Sequence, residues 1–133
     1  MKTFKSLFIF TALSLFVLTG CNKDTQAPVI SAFSVNGTQV QAGSSGQHAL
    51  GSTVDFAVTA TDDTELILFQ ITEFSSNNIL LDEGTLTGTS DNFAYSFGID
   101  STSNVSGDSV TISFLIEDGA GSSDDATYKI YIQ

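Results

Sequence analysis

Arginine and tryptophan are absent from this 133-residue chain, and cysteine, histidine and proline each occur once. Each shortage closes off a class of function. Four lysines stand against fifteen acidic residues, for a net charge of −11. Phosphate backbones are held by clusters of Lys and Arg, so nucleic acid is excluded as a partner. The same shortage argues against peripheral contact with anionic lipid. The lone cysteine, Cys21, has no partner in the chain for a disulfide. His48 has no second histidine to complete a zinc site, and no nucleophile-elbow pattern accompanies it, so it reads as a surface residue. Carboxylate pairs such as Asp82-Glu83 have the chemistry that glycoside hydrolysis uses, but a domain this small offers no obvious cleft to hold them. The chain is expected not to be an enzyme.

A membrane-spanning run is missing too. Leu7 to Leu18 is an apolar stretch of twelve residues, short of the roughly 20 that a transmembrane helix needs. Lys2 and Lys5 precede it and the small pair Thr19-Gly20 follows, which is the layout of a signal peptide. Leu18-Thr19-Gly20-Cys21 resembles the lipobox of bacterial lipoproteins, in which the cysteine thiol is joined to diacylglycerol and becomes the mature N-terminus. The resemblance implies that residues 1–20 are a cleaved signal helix, that Cys21 is lipidated, and that residues 21–26 form a polar tether. Two or three buried acyl chains, at about 0.8 kcal/mol per methylene, would make that anchor stable. Asn22-Lys23-Asp24 is similar to the surface-export signal of Bacteroidota lipoproteins. Together these resemblances imply a bacterial outer-membrane lipoprotein, facing either the periplasm or the cell surface and held to the membrane by the lipid on Cys21.

Alternation is what the remaining 113 residues have in quantity. Val29 to Val35 places Val29, Phe33 and Val35 on one face, and Asn36-Gly37 follows as a turn signal. Thr38 to Ala42 adds a short edge segment, and Gly43 to Gly51, which contains His48, reads as a Gly/Ser-rich loop. Val54, Phe56, Val58 and Ala60 alternate with Asp55, Ala57 and Thr59, the pattern of a half-buried strand. Leu66 to Phe74 continues with a period of two through Ile67, Phe69 and Ile71, with a short helix over Glu65 to Phe69 as the competing assignment. Ile79 to Leu86 is a weakly defined strand. Phe93 to Ile99, Val110 to Ile116 and Tyr128 to Ile132 each alternate clearly. The fold class expected is all-β: an antiparallel sandwich of about seven strands over residues 27–133, preferred to a small closed barrel.

Ala27-Pro28-Val29-Ile30, Thr59-Ala60-Thr61-Asp62-Asp63 and Glu117-Asp118-Gly119-Ala120-Gly121 resemble the strand-edge motifs of bacterial Ig-like and cadherin-like domains. Ser122 stands where that family often carries asparagine, and the Trp and cysteine pair of antibody domains are missing. The resemblance implies an Ig-like sandwich from about residue 27 to the end.

If strand directions alternate, Asp24, Asp62, Asp63, Glu65, Asp118, Asp124 and Asp125 gather at one pole, with His48 at the other. Ca²⁺ takes about six to eight oxygen ligands from carboxylates and backbone carbonyls, and cadherin-like domains use acidic strand ends in this way. Asp62, Asp63, Asp118, Asp124 and Asp125 are therefore candidate Ca²⁺ ligands, although Asp also favours solvated turns for its own sake. The function expected is a lipid-anchored, non-catalytic cell-envelope binding or adhesion module with a protein or glycan partner. A structural accessory subunit of an envelope complex is the alternative. A carbohydrate-binding accessory domain, using an exposed Tyr131, comes third.

Overall fold

The computed structural model describes residues 24–74 and 78–133. The expected signal helix, Cys21 and the start of the tether lie outside them. Within the described residues nine strands follow one another without a helix: β1 Val29–Val35, β2 Thr38–Gln39, β3 Ser44–His48, β4 Thr53–Thr61, β5 Leu66–Phe74, β6 Ile79–Thr85, β7 Ser90–Gly98, β8 Ser109–Asp118 and β9 Ser123–Ile132. They form two sheets, ordered β2-β1-β4-β7 and β3-β9-β8-β5-β6. The two faces pack as a sandwich, as the alternation predicts.

Period-two burial explains the packing. Along β4, Val54, Phe56, Val58 and Ala60 are buried while Thr53, Asp55 and Ala57 are exposed. Val110, Ile112, Phe114 and Ile116 of β8 and Ala126, Tyr128, Ile130 and Ile132 of β9 fill the facing sheet. Aromatic rings hold the centre: Phe114 lies 4.9 Å from Phe56 and 5.4 Å from Phe33, and Tyr128 meets Phe56 edge-on at 5.7 Å. Fully burying one such side chain is worth about 1.5–3 kcal/mol. A second, smaller cluster of Ala60, Leu66, Leu86 and Ile116 sits towards the ends of β4 and β8, flanked by the stacked pair Phe69 and Phe93 at 4.4 Å.

Two strands exceed the expected seven. β2 is a two-residue extension paired to β1 across the Asn36-Gly37 turn. β3 lies inside the stretch read as a Gly/Ser loop, and it runs parallel to β9, with Ser44 opposite Tyr128 and His48 opposite Ile132. Ser-Ser-Gly-Gln-His has no apolar alternation because an edge strand can contribute backbone hydrogen bonds without a buried face. The N-terminal part of the chain thus enters both sheets: β1 joins one, and β3 the other. Over Glu65 to Phe69 the strand prevails over the helix, with β5 paired to both β6 and β8.

Candidate metal centre

Asp62 follows the last residue of β4. Its Oδ1 accepts from the backbone N–H groups of Thr64 and Glu65, both at 2.8 Å. Its own N–H donates to the Thr89 carbonyl at 3.0 Å, which fixes the turn against the neighbouring β6–β7 connection. Asp118 ends β8 and is fully buried. Its Oδ1 accepts from the N–H groups of Ala120 and Ser122 at 2.8 Å each, closing a tight loop in which Gly121 has a φ of +84°. That left-handed conformation is costly for a residue with a Cβ, which explains glycine there. Gly119 N–H donates to the Glu65 carbonyl at 3.1 Å and ties this loop to the Asp62 turn. Asp24 comes from the tether, and its Oδ1 accepts from Gln26 N–H at 3.1 Å.

The three aspartates share one arrangement: Oδ1 is occupied by backbone amides, while Oδ2 is shielded from solvent and has no hydrogen-bond partner. One carboxylate oxygen from each lies within 4.8 Å of the other two. At such distances two unit charges repel by about 3–4 kcal/mol at an effective dielectric constant of about 20. With all three ionised, the mutual repulsions would be comparable with the stability of a typical domain, about 5–15 kcal/mol. A cation among the three would offset that repulsion. Lys129 is the one lysine among the described residues, and its Nζ lies 4.9 Å from the centre of the Tyr131 ring. His48 is at the opposite pole.

A divalent cation fits the donors. Ligands on opposite sides of a Ca²⁺ ion, each at about 2.4 Å, stand about 4.8 Å apart, so one ion can touch all three carboxylates. An all-oxygen set with no nitrogen or sulfur suits Ca²⁺ or Mg²⁺ rather than zinc, and three carboxylates at one site favour Ca²⁺, since Mg²⁺ usually retains water and takes one or two.

Of the five sequence candidates, the structure brings Asp62 and Asp118 together, and joins to them Asp24 from the same pole. The other three point elsewhere. Asp63 is exposed, with Oδ2 accepting from Gln26 Nε2 at 2.7 Å. Asp124 is spent on structure: Oδ2 accepts from Ile30 N–H at 2.9 Å, which links β9 to the start of β1 in the facing sheet, and Oδ1 accepts from Asp125 N–H. Asp125 is exposed. Glu65 is exposed as well.

The far pole corrects the reading of His48. It ends β3, is half-buried, and its Nε2 lies 3.1 Å from the Tyr128 hydroxyl. A Cβ at Gly46 would collide with the Tyr128 side chain, so glycine opens the lane through which Tyr128 reaches the histidine. Burial lowers the His48 pKa from its ordinary value and raises that of Tyr128. A cleft of about 520 Å³ also opens at this pole, lined by Glu73, Phe97, Asp100, Asn104, Asp108 and Val110 among others. Hydrogen bonds from the Thr102 hydroxyl and then its N–H pull the Asp100 pKa down.

No protein-family model matches the chain. No curated protein matches it either. Solved structures do resemble it. Spo0M, the sporulation control protein of Bacillus subtilis, superposes with a TM-score of 0.50 at 11% identity over 82% of this chain and 50% of its own, so the chain spans half the length of that protein. A Niemann-Pick type C2 protein from the Japanese carpenter ant gives 0.50 at 9% identity over 81% of this chain and 94% of its own. The fold is an Ig-like β-sandwich. At such identities the likeness extends to architecture alone.

Proposed function

We propose that the chain is a lipid-anchored, non-catalytic binding module of the bacterial cell envelope, with a structural Ca²⁺ ion at the pole next to its anchor. The observation that carries this reading is the convergence of Asp24, Asp62 and Asp118, each with a buried, unpartnered oxygen, with Asp24 only three residues after Cys21. The lipobox-like Leu18 to Cys21 supports the anchor, and the missing histidine and cysteine partners support a role without catalysis. The ion would hold strand ends together, leaving the sheet faces and far pole for a protein or glycan.

The test of the centre is the melting of residues 22–133 in EDTA and in millimolar calcium. Binding to the native state alone must raise the midpoint, so an unchanged melt overturns it. Loss of lipid labelling and of membrane retention in Cys21→Ser is the outcome expected for the anchor, and a membrane-retained variant overturns it. Crosslinking in intact cells followed by purification identifies the partner.

One observation favours the accessory-subunit reading as a second possibility. Phe74 (43% exposed), Ile79 (47%) and Leu80 (51%) flank the β5–β6 connection, an apolar tip of the kind that a larger subunit covers. Recovery of one stoichiometric envelope protein that is lost on Leu80→Asp would select that reading. Tyr131 is 42% exposed, as a sugar platform requires, but Lys129 lies over its ring.

A further inference from the structure

Of the three converging aspartates, two are built into the sandwich and one is not. Asp62 follows β4, Asp118 ends β8, and each is fixed by two backbone N–H bonds at 2.8 Å. Neither can withdraw without breaking the turn that its Oδ1 closes. Asp24 precedes every strand. Its segment is held to the domain by the exposed Gln26 to Asp63 hydrogen bond and by the centre itself. The buried Pro28 and the Ile30 to Asp124 bond mark where attachment no longer depends on the centre.

From this asymmetry we infer that the cation is a clamp on the tether: bound, it seats Asp24 against the pole, and without it the segment from Asp24 to Ala27 is released. The inference rests on the cation and lipid-anchor readings above. Its driving force is electrostatic. With no ion, Asp24 faces two fixed carboxylates, and the only one of the three free to relieve the repulsion is Asp24. With an ion, all three carboxylates gain a shared ligand.

The clamp sets how far the domain stands from the membrane. Released, the seven residues from Cys21 to Pro28 reach about 25 Å at roughly 3.5 Å per residue; seated, only the three from Cys21 to Asp24 remain, about 10 Å. Extracellular modules hold Ca²⁺ with dissociation constants of about 10⁻⁴–10⁻³ M, so an affinity in that range would make the domain's standoff follow external calcium.

The sequence supplies a probe. Lys23 and Lys129 are the two lysines beyond residue 20, and Lys129 lies in the paired strand β9. A lysine-specific protease should therefore release the domain of the liposome-anchored mature lipoprotein by cutting after Lys23. We expect saturating calcium to slow that release about ten-fold. Asp24→Asn should lose most of the protection while melting normally in EDTA, and Asp100→Asn at the far pole should keep it. If calcium raises the melting midpoint but the release rate is unchanged, the clamp is wrong and the cation centre stands. If calcium changes neither, both fall.

Discussion

At the far pole Asp100 accepts from the N–H and hydroxyl of Thr102, two residues on, and Asp108 accepts from Val105 N–H, three residues back. At the near pole Asp24, Asp62 and Asp118 come from three distant segments, and each keeps an oxygen buried and unpartnered. Both ends of the sandwich are acidic, yet only one concentrates charge that local hydrogen bonding does not absorb. An acidic loop whose oxygens are consumed by its own amides is a turn. Carboxylates drawn together by tertiary structure against their mutual repulsion call for a ligand.

The largest perturbation should erase the comparison. Phe114 packs against Phe33 and Phe56 at the centre of the core, so Phe114→Ala should lower stability by about 3–5 kcal/mol, in calcium and EDTA alike, as read by urea unfolding. Next comes the contrast between poles. Calcium at about 100-fold its dissociation constant stabilises by about 2.7 kcal/mol, roughly a 10 °C rise or more in melting midpoint for a domain near this size. Asp118→Asn should abolish that rise and, by relieving its repulsion with the fixed Asp62, raise the midpoint in EDTA. Asp100→Asn should change neither. A calcium response that survives Asp118→Asn would place the ion elsewhere.

Smaller changes sharpen the contrast. Gly121→Ala should cost about 1–2 kcal/mol at its left-handed position and weaken calcium binding, because that loop orients Asp118. The smallest effect belongs to His48. Burial holds its folded-state pKa below the ordinary 6.5, so the unfolded chain takes up the proton first as pH falls. Stability should therefore decline below about pH 6.5 and level off once the folded histidine also titrates. His48→Gln should flatten that part of the profile, measured by urea unfolding between pH 7.5 and pH 5.

Strands with a buried face were legible in the sequence. β1 and β5 begin and end where the alternation places them, and Val54 to Ala60 points inward as read. β3 was not, because Ser44 to His48 contributes backbone pairing to β9 rather than apolar area. Strand direction alone gathered seven acidic residues at the near pole, Asp24, Asp62 and Asp118 among them, but Asp24 was not among the five candidate ligands. What the sequence does not encode locally is which oxygens are spent. Asp124 and Asp118 look alike as acidic residues beside a turn, but Ile30 N–H occupies an oxygen of Asp124 from across the sandwich, and nothing within four residues of Asp124 announces that.

The parallel pairing of β3 with β9 bears on mechanics. Asp24, where the described residues begin, is at one end of the molecule and the C-terminal residue at the other, where Gln133 N–H bonds to the His48 carbonyl. Under the proposed anchoring, a pull between the two ends would draw β9 outward while β1 and β2 drag β3 back towards the near pole. The five paired positions from Ser44–Tyr128 to His48–Ile132 would then be loaded in shear, all at once, instead of peeling one by one. In such a molecule an edge strand of polar residues, unimpressive as a contributor to the core, becomes the element on which resistance to stretching depends.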